Sequence, residues 1–299
     1  MKRFVIYMFL QFYVIIVLMA TSDFINKKLL LASSASPMFK MDRLYGNVPH
    51  DEIAILGSSR AEGCFAPLSI SSKAFNYGLV ASRFNETVFH LEEVLRRGGN
   101  APVIINLEPW GLTRGAFRGD YRSVSDVPAV KMESGIAMSY DNMIPGIRFY
   151  GELRRNLSWT ISGSKVIERG AVMLKSSRSE DEWGKIRDSS EMVAYDVDED
   201  VKSRLSKILS SNHVHEIVFV VAPVMPFWWE KFGSKLAFSD LKEWLKTFPR
   251  VCVMDYSCDN EFGAEDFFDP IHLNEKGARR FSEKIRCQLE DKKIISSGE

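Results

Sequence analysis

The segment Asp51-Glu52-Ile53-Ala54-Ile55-Leu56-Gly57-Ser58-Ser59-Arg60 decides the fold of this chain. Its apolar run ends at a glycine and two serines, a pattern that predicts a buried strand, a tight turn and the start of a helix. In α/β proteins such a turn lies at the carboxyl edge of the sheet, where reactive groups gather. Ser58 and Ser59 are therefore candidate nucleophiles, and on physical grounds alone either serine fits.

Further apolar runs alternate with amphipathic segments along the chain. Strands are predicted at 74–77, 102–107, 216–222 and 251–255, and helices at 83–97, 199–209, 240–248 and 275–289. Strands alternating with helices predict right-handed crossovers and a mainly parallel sheet. We therefore expect an α/β fold, a three-layer α/β/α sandwich with a five-stranded sheet, over residues 51–292. The alternation lapses at about 111–198, which predicts an inserted segment with a helix at 144–159.

The amino-terminal segment predicts a membrane anchor. Lys2 and Arg3 precede an apolar run from Phe4 to Ala20, and roughly 20 such residues span a bilayer core. We expect a transmembrane helix over residues 1–22 and a polar linker over 23–50.

The alternative to an uncleaved anchor is a cleaved signal peptide. A cleaved signal peptide has a shorter apolar stretch of about 7–15 residues, although Ser33-Ser34-Ala35 is a possible cleavage site. The basic residues before the span favour a cytoplasmic amino terminus. The expected location is therefore the cell membrane, single-pass, with the carboxyl-terminal domain on the extracytoplasmic side.

Composition argues against several classes of function. The chain has 39 basic and 39 acidic side chains, whereas nucleic-acid binders carry a basic surplus. It has no Gly-rich nucleotide-binding motif and no CxxC pair, so we predict no cofactor, no metal and no nucleic-acid partner. The sequence leaves open whether the cysteines pair or stay free; they are Cys64, Cys252, Cys258 and Cys287.

A second informative segment, Phe268-Asp269-Pro270-Ile271-His272-Leu273-Asn274, lies before the last predicted helix. His272 is the one histidine of five that follows a predicted strand, and so is expected at the carboxyl edge of the sheet. Asp269, three residues earlier, is placed to accept a hydrogen bond from the imidazole Nδ1. The alternative is an ordinary helix-start motif, although Asn274 already supplies a cap.

Two further features are candidates for substrate binding. Trp228 lies in an aromatic segment after the fourth strand, where exposed Trp rings bind sugars or membrane interfaces; packing beneath the inserted segment is equally consistent. Arg60 could hold an anionic group of the substrate, or it could be a solvated arginine at the start of a helix.

The serine turn near the start of the domain and the DxxH block near its end resemble the SGNH/GDSL hydrolase superfamily. The family's Gly-Asp-Ser turn maps its nucleophile onto Ser59, with Ser58 at the Asp position. The resemblance implies a catalytic triad of Ser59, His272 and Asp269, with the Ser59 N–H in the oxyanion hole.

The two middle blocks of the family supply further oxyanion donors. Asn76-Tyr77-Gly78 resembles the second block and implies that the Gly78 N–H is a donor. The third block normally places an Asn after the third strand; here Glu108 holds that position, and Asn106 is expected to compensate. Glu108 and Trp110 are then expected beside the substrate.

The anchor, the Gly-Ser-Ser-Arg turn and the Leu-Glu-Pro-Trp stretch are similar to two membrane-linked groups, the lipoteichoic-acid D-alanylation protein family and the alginate-type O-acetyltransferases. This similarity implies an acyltransferase or esterase acting on cell-envelope polysaccharide. Its implied partners are an envelope glycan or acylated donor and a membrane-bound acyl-donor protein. The alternative is a catalytically inactive anchored protein that binds glycan or scaffolds an envelope assembly.

Overall fold

A computed structural model of the chain describes residues 2–46, 49–80, 82–108, 163, 165–176, 182–183, 185, 198–231 and 235–296. The predicted helix at 144–159, most of the predicted insertion and Trp110 lie outside these residues. The described strands are β1 (Ile53–Leu56), β2 (Ala74–Asn76), β3 (Val103–Asn106), β4 (Lys165–Glu168), β5 (Ala171–Leu174), β6 (Ile217–Val221), β7 (Val251–Asp255), β8 (Phe267–Asp269) and β9 (His272–Leu273).

Helices lie between consecutive strands of the central sheet in the described part of the chain. The described helices are α1 (Lys2–Leu31), α2 (Pro37–Gly46), α3 (Ser59–Cys64), α4 (Pro67–Ile70), α5 (Phe84–Arg96), α6 (Glu199–Ser211), α7 (Pro226–Lys231), α8 (Lys235–Lys246) and α9 (Glu275–Asp291). A short 3-10 helix covers Ala264–Asp266.

The central sheet has five parallel strands in the order β2-β1-β3-β6-β7. Successive side chains of a strand point to opposite faces, so Ile53 and Ile55 of β1 pack in one core, with α3, α4 and α9. Ala54 and Leu56 pack in the other, with α2, α5, α6 and α8. Because both faces are covered, the strands read as unbroken apolar runs. The predicted α/β fold with a five-stranded parallel sheet is confirmed.

The part of the inserted segment that the structure describes belongs to the same body as the sheet. Strands β4 and β5 form an antiparallel hairpin whose turn contains Arg169 and Gly170, both with positive φ. The Arg169 carbonyl accepts the N–H of Asn76, and its Nε donates to the Ala74 carbonyl. This turn therefore docks on the edge strand β2.

Helix α1 is long and apolar enough to cross a membrane. Its most apolar 18-residue window lies in Arg3–Leu31, has a mean hydropathy of 2.3 and is 0% buried. A signal sequence would meet the same criteria.

The predicted linker over 23–50 is wrong in part. Helix α1 continues to Leu31, and α2 follows with Met38, Met41 and Leu44 buried. These three side chains recur every third residue, so they lie on one face of the helix. Met41 and Leu44 pack in the core of the domain, and Met38 packs against Leu30 of α1. Only short connections remain on either side of α2.

Lys40 on α2 is fully buried beside the helix that starts at Ser59. Its Nζ donates to Glu62 Oε1 at 2.8 Å and to the Gly78 carbonyl at 2.5 Å. A buried charge is tolerated only when it is paired and hydrogen-bonded. Lys40 therefore joins α2 to both α3 and the loop that follows β2.

We expect Lys40→Ala to lower the free energy of unfolding by about 3–5 kcal/mol, because the change leaves the Glu62 carboxylate buried without its cation. Urea unfolding of the full chain in detergent, followed by tryptophan fluorescence, measures this loss. Lys246→Ala is the matched control, since Lys246 forms a half-exposed pair with Glu243 at 2.7 Å and such pairs contribute about 0–1 kcal/mol. Equal losses in the two variants would contradict the expectation.

Candidate active site

The turn after β1 places Ser59 at the carboxyl edge of the sheet. Gly57 has a φ of +144°, and a Cβ atom there would lie 2.8 Å from Ala61 Cβ. Ser58 caps α3, since its Oγ accepts the Arg60 N–H at 3.2 Å. A glycine followed by a capping serine thus turns the chain sharply and makes Ser59 the first residue of α3.

The structure brings together the three predicted triad residues. His272 Nε2 lies 2.9 Å from Ser59 Oγ, across 213 residues of chain. His272 Nδ1 lies 2.8 Å from Asp269 Oδ2 and 3.0 Å from Oδ1. The His272 and Asp269 side chains are 20% and 23% exposed, so the hydrogen-bonded row of Ser59, His272 and Asp269 is partly buried but reachable from solvent. Ser59 Oγ, and not Ser58 Oγ, lies within hydrogen-bond distance of the imidazole.

Asp269 organises the loop that carries His272. Its Oδ1 accepts the main-chain N–H groups of Ile271 at 3.0 Å and His272 at 2.9 Å. Burial raises the pKa of Asp269, but hydrogen bonding to the imidazole, the charge of that ring and the two N–H groups outweigh burial and lower the pKa overall. An ionised Asp269 accepts the Nδ1 proton, which leaves Nε2 free to accept the Ser59 proton.

Glu108 supports the same turn from the end of β3. Its Oε1 accepts a hydrogen bond from Ser58 Oγ and a second, at 3.2 Å, from Asn106 Nδ2. Because Glu108 holds the Ser58 hydroxyl proton, the Ser58 lone pairs face the Arg60 N–H. Glu108 is only 7% exposed, and its contact with substrate stays a prediction.

The three predicted oxyanion donors have different surroundings in the structure. The Gly78 N–H donates to Asn76 Oδ1 at 2.8 Å, so its prediction as an oxyanion donor is wrong. A Cβ at Gly78 would lie 2.4 Å from the Glu62 nitrogen, which shows that this glycine permits close packing against α3. The Ser59 N–H lies in the first turn of α3, and Asn106 lies buried at the end of β3; their roles as donors stay predictions.

Asn76 organises the loop after β2, a role that was not predicted from the sequence. Its Nδ2 donates to the carbonyls of Ala61 at 2.7 Å and Phe65 at 3.2 Å, and its Oδ1 holds the Gly78 N–H. The sequence carried a signal for this role, because an Asn at the end of a strand and two residues before a Gly is typical of a turn closed by the Asn side chain.

The predicted substrate contact of Arg60 is wrong, and so is the alternative of a solvated arginine. Arg60 is 0% exposed, and its guanidinium bonds main-chain carbonyls of two loops. Trp228 is half-buried and packs against both cores. Its helix begins beside the Asp269 loop, since the Met225 N–H donates to the Pro270 carbonyl at 2.9 Å. Contact of Trp228 with substrate stays a prediction.

All four cysteines are free thiols. Cys64 lies beneath the Asp269 loop, where its Sγ accepts the Leu273 N–H at 3.5 Å. Burial raises the pKa of this thiol to about 11, so Cys64 is protonated at neutral pH and packs as a small apolar group. Within the described residues, no group of three His, Cys, Asp or Glu side chains could hold a metal ion.

The lowered pKa of Asp269 predicts how the free energy of unfolding changes at acid pH. Because the pKa is lower in the folded chain than its ordinary value of 3.8, the carboxylate stabilises the fold above pH 3.8. That stabilisation is lost as the pH falls through the folded-state pKa. The difference in unfolding free energy between wild type and Asp269→Asn should therefore shrink between about pH 5 and about pH 3, measured by urea unfolding. A difference that stays constant or grows would contradict the assignment.

Comparisons with known proteins leave the family open. No protein-family model matches the chain, and no curated protein matches it significantly. Among solved structures, the chain is similar to one from Streptococcus pneumonia whose description contains the words platelet activating factor. The identity is 13%, the match covers 88% of this chain and 95% of that chain, and the TM-score is 0.40. The function proposed below therefore rests on the side-chain geometry.

Proposed function

We propose that the protein is a serine acyl-transfer enzyme, an esterase or O-acyltransferase of the SGNH type. The observation that carries this proposal is the hydrogen-bonded line of Ser59 Oγ, His272 Nε2 and Asp269, at 2.9 and 2.8 Å. A hydroxyl that donates to an imidazole, itself oriented by a carboxylate, is an activated nucleophile. The position of the line at the carboxyl edge of a parallel sheet agrees with this role.

The proposed reaction has two halves. His272 Nε2 takes the Ser59 proton while Ser59 Oγ attacks the carbonyl carbon of an acyl ester, and the imidazolium then returns that proton to the departing alcohol. Next, a water or a sugar hydroxyl gives its proton to His272 and attacks the acyl-enzyme. Ser59 Oγ leaves and takes the proton back. Asp269 stabilises the imidazolium in both halves.

The membrane helix favours transfer over hydrolysis within this proposal. Helix α1 can cross a membrane, and we propose that it holds the domain on the extracytoplasmic side of the cell membrane. The proposed acceptor is a hydroxyl of a cell-envelope polysaccharide. The proposed donor is an acylated molecule or a membrane-bound acyl-donor protein.

A non-catalytic role is the second candidate, and one observation favours it. The Gly78 N–H is hydrogen-bonded to Asn76, which leaves fewer donors for a developing oxyanion. The loss of one such donor costs about 10²–10³ in rate. In this alternative the protein is an anchored domain that binds glycan or scaffolds an envelope assembly.

Covalent labelling with a fluorophosphonate probe separates these candidates. We expect the folded full chain in detergent to be labelled at Ser59, as located by mass spectrometry, because the His272 imidazole activates that hydroxyl. Ser59→Ala should remove the label. His272→Ala should slow labelling by several powers of ten, since loss of a triad histidine lowers kcat on the order of 10⁶.

Two serine variants serve as controls for labelling. Ser211→Ala, at the exposed end of α6, should be labelled at the wild-type rate. Ser58→Ala should still be labelled at Ser59, because Ser58 Oγ faces Glu108 and not His272. Absence of label in folded wild-type protein would favour the non-catalytic role.

Transfer and hydrolysis differ only in the acceptor, so an acceptor test distinguishes them. We expect the full chain, given a simple acetyl ester, to release acetate slowly and to acetylate added envelope oligosaccharides, as detected by mass spectrometry of the sugars. Rapid acetate release with no acetylated sugar would identify an esterase instead.

A further inference from the structure

We propose that Arg60 is a positioning residue that sets the Ser59–His272 distance. This inference rests on the proposed acyl-transfer function and adds to it a residue that touches neither substrate nor the reacting atoms. The guanidinium of Arg60 lies inside the protein and bridges the helix of the nucleophile to the loop of the base.

The bridge consists of three hydrogen bonds to main-chain carbonyls. Arg60 Nε donates to the Ile271 carbonyl at 2.8 Å, and Nη2 donates to the carbonyls of Ala222 at 2.7 Å and Pro223 at 3.0 Å. Ile271 directly precedes His272, while Ala222 and Pro223 follow β6. The acceptors therefore come from the two loops that flank the candidate active site on the side away from β2.

The bridge links the residues that are adjacent in sequence to the two reacting groups. Arg60 is the neighbour of Ser59, and Ile271 is the neighbour of His272, so one guanidinium connects residues adjacent to both. The Met225 N–H also donates to the Pro270 carbonyl at 2.9 Å, which joins the two loops to each other. Arg60 thus completes a closed set of contacts among α3, the β6 loop and the Asp269 loop.

The chemistry of the side chain explains why arginine occupies this position. A guanidinium presents five donors in a rigid planar fork, so it can bond carbonyls in several directions at once. A lysine ammonium is a single point on a flexible stem, and it is more strongly hydrated. Arg60 is 0% exposed, and a buried cation is expensive where an apolar residue would pack. The three hydrogen bonds explain the presence of Arg60, because they hold the two loops at a fixed position relative to α3.

The test compares variants of Arg60 in the full chain in detergent. Arg60→Met removes all three bonds at similar length, and Arg60→Lys keeps the buried charge and is the variant that preserves folding most readily. We expect both to be labelled by the fluorophosphonate more slowly than wild type. The methionine variant should be slower on the order of 10²-fold, because a misplacement of about 1 Å at the reacting atoms has that effect. With p-nitrophenyl acetate, kcat should fall while KM stays unchanged.

A core variant controls for loss of stability. Leu245→Ala empties a fully buried position on α8, in the opposite layer of the sandwich. It should unfold at lower urea than wild type but be labelled at the wild-type rate while folded. Circular dichroism verifies folding of each variant before labelling.

The labelling rates of the Arg60 variants decide whether Arg60 is a positioning residue. Folded Arg60→Lys labelled at the wild-type rate would overturn the positioning role, and so would a Leu245→Ala rate as low as that of Arg60→Met. If wild-type protein is not labelled at all, the proposed function itself fails, and the role of Arg60 falls with it. A labelled wild type with unaffected Arg60 variants would overturn the positioning role alone.

Discussion

The contact between Ser59 Oγ and His272 Nε2 depends on how the parallel sheet arranges the loops at its carboxyl edge. In the order β2-β1-β3-β6-β7, two strands separate β1 from β7, so the strand ends lie about 14 Å apart at about 4.8 Å per spacing. Strand ends alone do not bring the two groups into contact. The chain after β7 closes the gap, since it returns over the sheet edge through the β8–β9 pair and delivers His272 to α3.

Helix α3 is the element on which these contacts converge. It has six residues, and so short a helix is not stable in isolation. Buried polar contacts hold it from several sides: Lys40 pairs with Glu62 on the α2 side, and Ser58 bonds Glu108 on the β3 side. Arg60 bonds the loops after β6 and before β9. These charged and hydrogen-bonded contacts therefore help to orient the residue at the start of the helix.

The same contacts connect the candidate active site to the amino-terminal helix. Helix α2 follows α1 after a short turn, packs its apolar face in the core and reaches α3 through Lys40. At Ser34, between the two helices, the Oγ accepts the Gly170 N–H at 3.4 Å. The helix that is long and apolar enough to cross a membrane therefore joins the domain through a packed helix. Under the proposed function, the reaction would take place close to the membrane surface.

Much of the fold was predictable from the sequence, because apolar periodicity and turn residues act locally. The five strands, the helices α5, α6, α8 and α9, and the resulting α/β class follow from runs such as Ile53–Leu56 and Val103–Asn106. His272 is a candidate because it follows a strand, and Asp269 because it lies three residues earlier. Position after β1 leaves Ser58 and Ser59 equal, and the resemblance to the SGNH/GDSL superfamily selects Ser59. Helix α2 was not predicted as a packed helix, because the segment is only ten residues long and contains charged residues.

Only the tertiary structure decided which partner each polar group has. The burial of Arg60, the pairing of Lys40 with Glu62 and the engagement of the Gly78 N–H by Asn76 contradict or extend what the sequence predicted. Local pattern indicates whether a segment forms a helix or a strand, because the spacing of its apolar residues differs between the two structures. The partner of a buried charge is set by which loops meet at the sheet edge, and the residues that meet there are up to 213 positions apart in the chain.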